Sequence, residues 1–302
     1  MINAWKYLVF FIFFALLTSA EKVFSQDDLM SLIEDEKQKP EKVKNTWKST
    51  RVINGQSSEQ VAAGVLDFRV LHRFGPVNGG PYQVFGLDQA TIRLGFDYGI
   101  TPWLTAGLGR STYKKELDGY LKAKPIWQTK GSRSFPFSVS LIAGMTMNTM
   151  KWENPEIHNY FTSKLAYFYE VILARKFSET FSMQISPAMV HRNLVDSLVD
   201  EHNVFLLGVG ARIKISKRIA ICFDYFAMKP GRTADLFANP LSIGFDIETG
   251  GHVFQLHFTN ATGMNERAFM TETTSQWSDG AIRFGFNISR VFTIGGRSRK
   301  HS

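Results

Sequence analysis

From Gly64 to Ser289 large apolar side chains recur at every second residue, in one segment after another. That period belongs to β-strands, in which successive side chains point to opposite faces. Leu66, Phe68 and Val70 alternate with Asp67, Arg69 and Leu71, and Arg73 extends the polar side. Ile92, Leu94, Phe96 and Tyr98 alternate with Thr91, Arg93, Gly95 and Asp97. The cleanest case sets Phe137, Val139, Leu141, Ala143, Met145 and Met147 against Ser138, Ser140, Ile142, Gly144, Thr146 and Asn148. Further along, Asp224 falls opposite Phe223 and Tyr225, while Asp246 and Glu248 fall opposite Phe245 and Ile247. Gln255 and His257 oppose Leu256 and Phe258, and Arg283 opposes Phe284. Twelve segments read this way, and the fourth, Tyr120 to Trp127, is the weakest.

The connections alternate in length. Thr101-Pro102, Gln128 to Phe135, Ser178-Glu179, Ser216 to Arg218 and Gly250-Gly251 are short. Gly75 to Gln89, Lys151 to Thr162, Leu194 to His202, Lys229 to Pro240 and Asn260 to Gly280 are long. Outer-membrane barrels have short periplasmic turns, long external loops and aromatic girdles, and Tyr98, Trp103, Trp127 and Trp152 lie near segment ends. The fold expected is all-β: a closed antiparallel transmembrane β-barrel of about 12 strands spanning 61–296. In hydrocarbon every backbone polar group must pair within the protein, so such a sheet has to close. The apolar set then faces lipid and the set rich in Gly, Ser, Arg and Asp lines the lumen. A soluble sandwich would bury the same apolar set between two sheets, but the strand length and the Gly-rich opposite face argue against it.

The first residues set the expected compartment. Lys6, the apolar run Tyr7 to Leu17 and the small residues that follow resemble a secretory signal peptide over 1–25. Residues 26–60 read as an N-terminal periplasmic segment. It has a short helix from Asp27 over Leu29, Leu32 and Ile33, a charged linker, and the polar stretch Lys48 to Gln56. Residues 297–302 read as a tail. One Cys in an exported chain excludes an internal disulfide framework. The net charge of +8 raises nucleic acid as a partner, but the basic residues are scattered, so the expectation is no nucleic acid. Anionic lipopolysaccharide and outer-membrane lipid are the expected surroundings.

Several stretches carry a family resemblance: Lys48 to Gly55, Gly64 to Arg69, His72 to Gly75, Phe85 to Thr91, Gly95 to Gly99, Gly109 to Ser111 and Glu248 to Asn260. Together they resemble an uncharacterised β-barrel family of Bacteroidota outer membranes, a domain of unknown function, over about residues 28 to 295. The resemblance implies barrel and compartment, and brings no activity or site residue.

The chemistry-bearing residues concentrate on the inward faces. Asp67, Arg69, Arg73, Arg93, Asp97, Asp224, Asp246, Glu248, Gln255, His257 and Arg283 are the candidate lumen lining. Charged rings tune the selectivity of pores, while mixed Arg and Asp can equally fill a narrow barrel with ion pairs. Arg69, Arg93 and Arg283 are expected to meet Asp67 and Asp97 in one patch. Arg51 and Asn54 are candidate plug residues, entering the lumen or capping its periplasmic mouth to meet inward Asp and Glu; an unstructured leader is the alternative. No nucleophile–base pairing of a barrel lipase occurs, so no enzyme and no catalytic residue is expected. His72, His191 and His252 lack the spacing of a zinc site, so no metal and no cofactor is expected either. The acidic loop Asp196 to Glu201 reads as solvated surface, with divalent cations the other option, and Glu266 to Asp279 reads as a polar final loop. Two functions follow: a narrow or gated channel for a small polar or amphipathic solute, or a non-conducting scaffold for a periplasmic or surface protein.

Overall fold

A computed structural model describes residues 40–131, 134–195, 198–249 and 252–294, except for the side chain of His252. The expected signal peptide, the helix from Asp27 and the tail 297–302 lie outside the described residues. Twelve strands follow in order: β1 (Val65–Pro76), β2 (Ala90–Thr101), β3 (Leu104–Ser111), β4 (Glu116–Ile126), β5 (Ser138–Asn148) and β6 (Leu165–Lys176). Then come β7 (Phe181–Arg192), β8 (Asn203–Lys214), β9 (Ile219–Met228), β10 (Leu241–Thr249), β11 (His252–Thr259) and β12 (Arg283–Thr293). Each pairs antiparallel with the next, and β12 pairs with β1, so the sheet is a closed barrel. Among the described residues no helix is long and apolar enough to cross a membrane.

Alternation sorts the side chains as the period of two requires. Phe96, Leu108, Leu121, Leu141, Tyr169, Phe205, Phe245 and Phe258 are exposed on the outside, where only lipid can cover so much apolar surface. Asp67, Arg69, Arg93 and Asp97 on the alternate positions are buried inside. The fourth strand begins at Glu116, four residues before the apolar run that marks it in the sequence. Its outward face there is Leu117 and Gly119, and one glycine blurs the pattern. The glycines of the inner face make room for large neighbours. A Cβ on Gly109 would collide with the Arg93 guanidinium, and one on Gly107 with the Tyr120 ring.

The inner wall has two unlike halves. On β5 to β9 it carries Ile142, Phe168, Ile172, Val190, Val204, Leu206 and Phe226 in one buried apolar cluster, beside the buried polar groups Gln184, Arg212 and Asp224 of the same strands. The expected lining rich in Gly, Ser, Arg and Asp is corrected for this cluster: its residues alternate with equally apolar outward ones, so period alone does not separate the faces. The remaining wall is charged.

Two chain segments enter the lumen from opposite ends. From the short-turn end comes a hairpin over 46–58, introduced by Asn45 in the left-handed region (φ 57°). Val52 N–H donates to Gly55 O at 2.8 Å, Ser57 N–H donates to Thr50 O at 2.9 Å, and Arg51 bridges to Gln56. Before it, Glu41 and Lys42 pair with Lys130 and Thr129 of the second short-end connection. From the other end the long connection between β11 and β12 folds inward and carries α1 (Glu266–Thr271), capped by Asn265, whose side chain accepts from Ala268 N–H. The first part of the final loop is therefore inside the barrel, while Gln276, Ser278 and Asp279 are exposed. Phe269 and Met270 of α1 are buried against the apolar half-wall, with the Phe269 and Phe226 rings 5.2 Å apart.

Gly109→Leu is expected to destabilise the barrel by about 1–3 kcal/mol through overpacking, while Leu108→Val, on the lipid face of the same strand, leaves it nearly unchanged. Thermal unfolding in detergent, followed by the heat-dependent gel shift, checks the pair.

Candidate functional site

The site is the filled lumen, and its centre is Asp224 on β9. The turn of the hairpin lays three successive backbone N–H groups on one carboxylate oxygen: Ile53 at 3.2 Å, Asn54 at 2.7 Å and Gly55 at 3.0 Å. Such a nest of amides holds an anion firmly. Around the turn, Asn54 Nδ2 donates to Ser242 Oγ at 2.8 Å and Thr259 Oγ1 at 3.1 Å, and Asn54 Oδ1 accepts from Arg73 Nη2 at 2.8 Å. Gln255 Nε2 donates to Val52 O at 2.8 Å, and Asn287 Nδ2 to Ile53 O at 3.0 Å. Lower down, Lys122 Nζ reaches Thr50 O and Ser57 O at 3.3 and 3.2 Å, and Gln184 Nε2 reaches Gln56 O at 2.7 Å. Lys48 pairs with Glu248 at 3.0 Å near the short-turn mouth, where the Glu248 side chain stays part-exposed. The carbonyls and amides that the hairpin cannot pair within itself are thus taken up by the wall, as burial demands.

The sequence candidates fall into three groups. Arg69 joins Asp67 at 2.8 Å and Asp97 at 3.5 Å, and its guanidinium donates to Ser49 of the hairpin at 3.1 Å. Arg93 does not join them: it faces Asp118 on β4, with Nε 2.9 Å from Oδ1, and a second bond between Nη2 and Oδ2. Arg283 is elsewhere, 3.4 Å from Phe74 O and from Ser275 Oγ. The single patch expected of Arg69, Arg93 and Arg283 is therefore corrected to one cluster, one separate pair and one outlier, because Asp118 competes for Arg93 from the next strand but one. Asp246 accepts from Gln255 at 2.8 Å and lies 3.8 Å from Arg212. His257 is buried between Gly244 and Gly285.

The expected plug residues lie inside the barrel. Asn54 takes the contacts above. Arg51 meets a carboxylate of the opposite segment: its Nη2 lies 3.0 Å from Glu266 Oε1 of α1, both side chains being wholly buried. This ion pair is not aligned as a hydrogen bond, and Gln56 Nε2 holds the same oxygen at 3.0 Å.

Several residues of the site were not among the sequence candidates. Glu116 and Asp118 would have appeared had the alternation been extended back through β4, and Lys122 already stood within the Tyr120 to Trp127 run, at an inward position. Glu266 had no such signal, because it sits on a loop helix. Glu170 is buried beside the apolar cluster, with Ser186 of the neighbouring strand close to its carboxylate.

Above α1 the external end opens as a cavity of about 610 Å³. Its floor includes Arg192 and Arg267; Arg192 is held by Asp200 at 2.7 Å, and Arg267 by Glu116 and Glu272. Burial alone would raise the Glu272 carboxyl, but Arg267 and Lys114 outweigh it and hold it below the usual carboxylate range.

The sequence profile of the membrane-bound β-barrel domain family DUF5777 matches residues 47–292. The chain belongs to this family. The DUF5777 match begins at Trp47, so the hairpin is part of the domain rather than an appendage. A DUF5777 barrel with this apolar exterior is an outer-membrane protein. No curated protein matches the chain. Among solved structures, a KdgM porin aligns over 76% of this chain and 99% of its own at 9% identity, TM-score 0.43. An OmpF of Salmonella typhi, in complex with daunomycin, aligns over 76% and 97% at 8% identity, TM-score 0.38. The CymD monoaromatic hydrocarbon channel aligns over 78% and 90% at 9% identity, TM-score 0.32. At these values neither solute nor mechanism carries over to the DUF5777 chain.

Two outcomes are expected. Arg93→Ala strands Asp118 in the interior and lowers stability by about 3–5 kcal/mol, and the double change Arg93→Met with Asp118→Leu recovers most of it in thermal unfolding. For Glu272, a depressed folded-state pKa means stability that is present above the ordinary carboxylate value, near 4.3, and lost as pH falls through the lower folded value. Hydrogen exchange of the α1 amides, corrected for intrinsic rate, should stay protected from pH 8 to about 5 and loosen only below about 4.

Proposed function

We propose that this protein is a gated outer-membrane channel for a small polar or amphipathic solute, closed at rest by the hairpin over 46–58. The observation that carries the reading is the nature of the filling. The lumen is closed by a separate chain segment, bound mainly by hydrogen bonds and ion pairs that water can replace, beside one small apolar cluster of Trp47, Val52 and Ile53 with Cys222. A barrel filled only for stability can use the side chains of its own strands. A segment that enters from the short-turn end, continuous with the periplasmic part of the chain, can be withdrawn without unfolding the wall.

A second reading rests on α1. It closes the apolar half of the lumen from the external side, so withdrawal of the hairpin alone leaves part of the passage filled. On that reading the barrel is a non-conducting scaffold for a periplasmic or surface protein.

Planar-bilayer conductance separates them. Deleting 46–58 is expected to raise single-channel conductance well above that of the intact chain. Asp224→Ala, which frees three buried amides at about 1–3 kcal/mol each, is expected to give brief openings of the same size. No increase from the deletion, with the barrel folded by gel shift, would overturn the channel and leave the scaffold.

A further inference from the structure

The external cavity has a lining that the closed lumen does not explain. Trp152 and Tyr160 bring aromatic surface to it, and Tyr160 is 65% exposed. Lys164 lies over the Trp152 ring at 4.3 Å, its ammonium also donating to Met150 O at 2.6 Å. Lys151 is exposed on the same wall and, among the described residues, is in no ion pair. At the floor the two arginines are already neutralised by buried carboxylates, so the positive charge still to be answered stands at the rim. Glu153 and Asn148 add groups able to bond hydroxyls. A pocket of several hundred Å³ with rings and a few placed polar groups is the usual form of a small-molecule site.

We infer that this mouth binds a carboxylated ring solute, the ring against Trp152 and Tyr160 and the carboxylate against Lys151 and Lys164. A ring stacks on an aromatic face, and a carboxylate gains a charge-assisted bond from an ammonium beside it. A neutral ring forgoes the second contact, and a simple inorganic anion the first. Sugar acids and aromatic acids both satisfy this chemistry. The inference gives the proposed channel its solute class, but the binding itself does not depend on gating.

The test is ligand titration of the full chain in detergent micelles by saturation-transfer NMR, with glucuronate and benzoate as probes and glucose as the neutral control. At least one acid is expected to bind about tenfold more tightly than glucose. Lys151→Gln and Trp152→Ala should each weaken it about fivefold or more, and Lys151→Arg should retain it. Binding of glucuronate alone assigns a sugar acid, of benzoate alone an aromatic acid, and of both the shared chemistry. Neither acid exceeding glucose, or Lys151→Gln leaving the affinity unchanged, overturns the inference. Binding that persists where the 46–58 deletion fails to conduct overturns the channel reading alone.

Discussion

A sheet in hydrocarbon can leave no strand edge unpaired, and the rest of this structure depends on that requirement. Closing twelve strands satisfies the backbone but creates an interior that is neither lipid nor bulk water. Whatever points inward must be paired, packed or hydrated, because an isolated polar group there costs several kcal/mol. Arg69 with Asp67 on its own strand and Asp97 on the next, and Arg93 with Asp118 across β3, are answers the wall supplies for itself. The inserted segments answer for the rest. The hairpin satisfies buried polar groups of the wall such as Asp224 and Lys122 by offering backbone amides and carbonyls, and α1 covers the apolar cluster with Phe269 and Met270.

Because the two segments meet at Arg51 and Glu266, they are not independent fillings. Each supplies the other's counter-charge in a place that excludes water, and removing either partner leaves a buried charge alone. Linkage makes the consequence reciprocal: a condition that loosens α1 from the external side loosens the hairpin by the same free energy, and the reverse.

The barrel was legible in the sequence because the two-residue period acts on every strand at once, and lipid exposure makes the outer face apolar wherever the strand lies. Asp67, Arg69 and Asp97 could be placed inward from that period alone, and so could Gln255 and His257. Partners were not legible. Which carboxylate Arg93 takes depends on register between β2 and β4 across β3, and Asp118 lay before the start of the recognised run. The apolar half-wall was hidden for a different reason. In β6, Ala166, Phe168 and Ile172 face inward and Leu165, Tyr167 and Val171 outward, so hydrophobicity does not distinguish the sides. The hairpin showed only as a polar stretch unsuited to lipid. That its turn would wrap Asp224 is a property of backbone amides, which carry no letter in a sequence.

The hairpin is also held at both of its ends. On one side Glu41 and Lys42 are laddered to the connection between β4 and β5, with Val43 N–H donating to Gln128 O at 2.8 Å. On the other, the short stretch 59–64 leads into β1 at Val65, with Ala63 bridged to Gly99. A segment tethered this way returns to its seat as an intramolecular event, at the millimolar effective concentration of a short linker. Closure is then first order and needs no supply of free ligand. A hairpin drawn out of the barrel will stay out only as long as something else occupies it, so the duration of any open state is set by the grip of that occupant and not by the barrel.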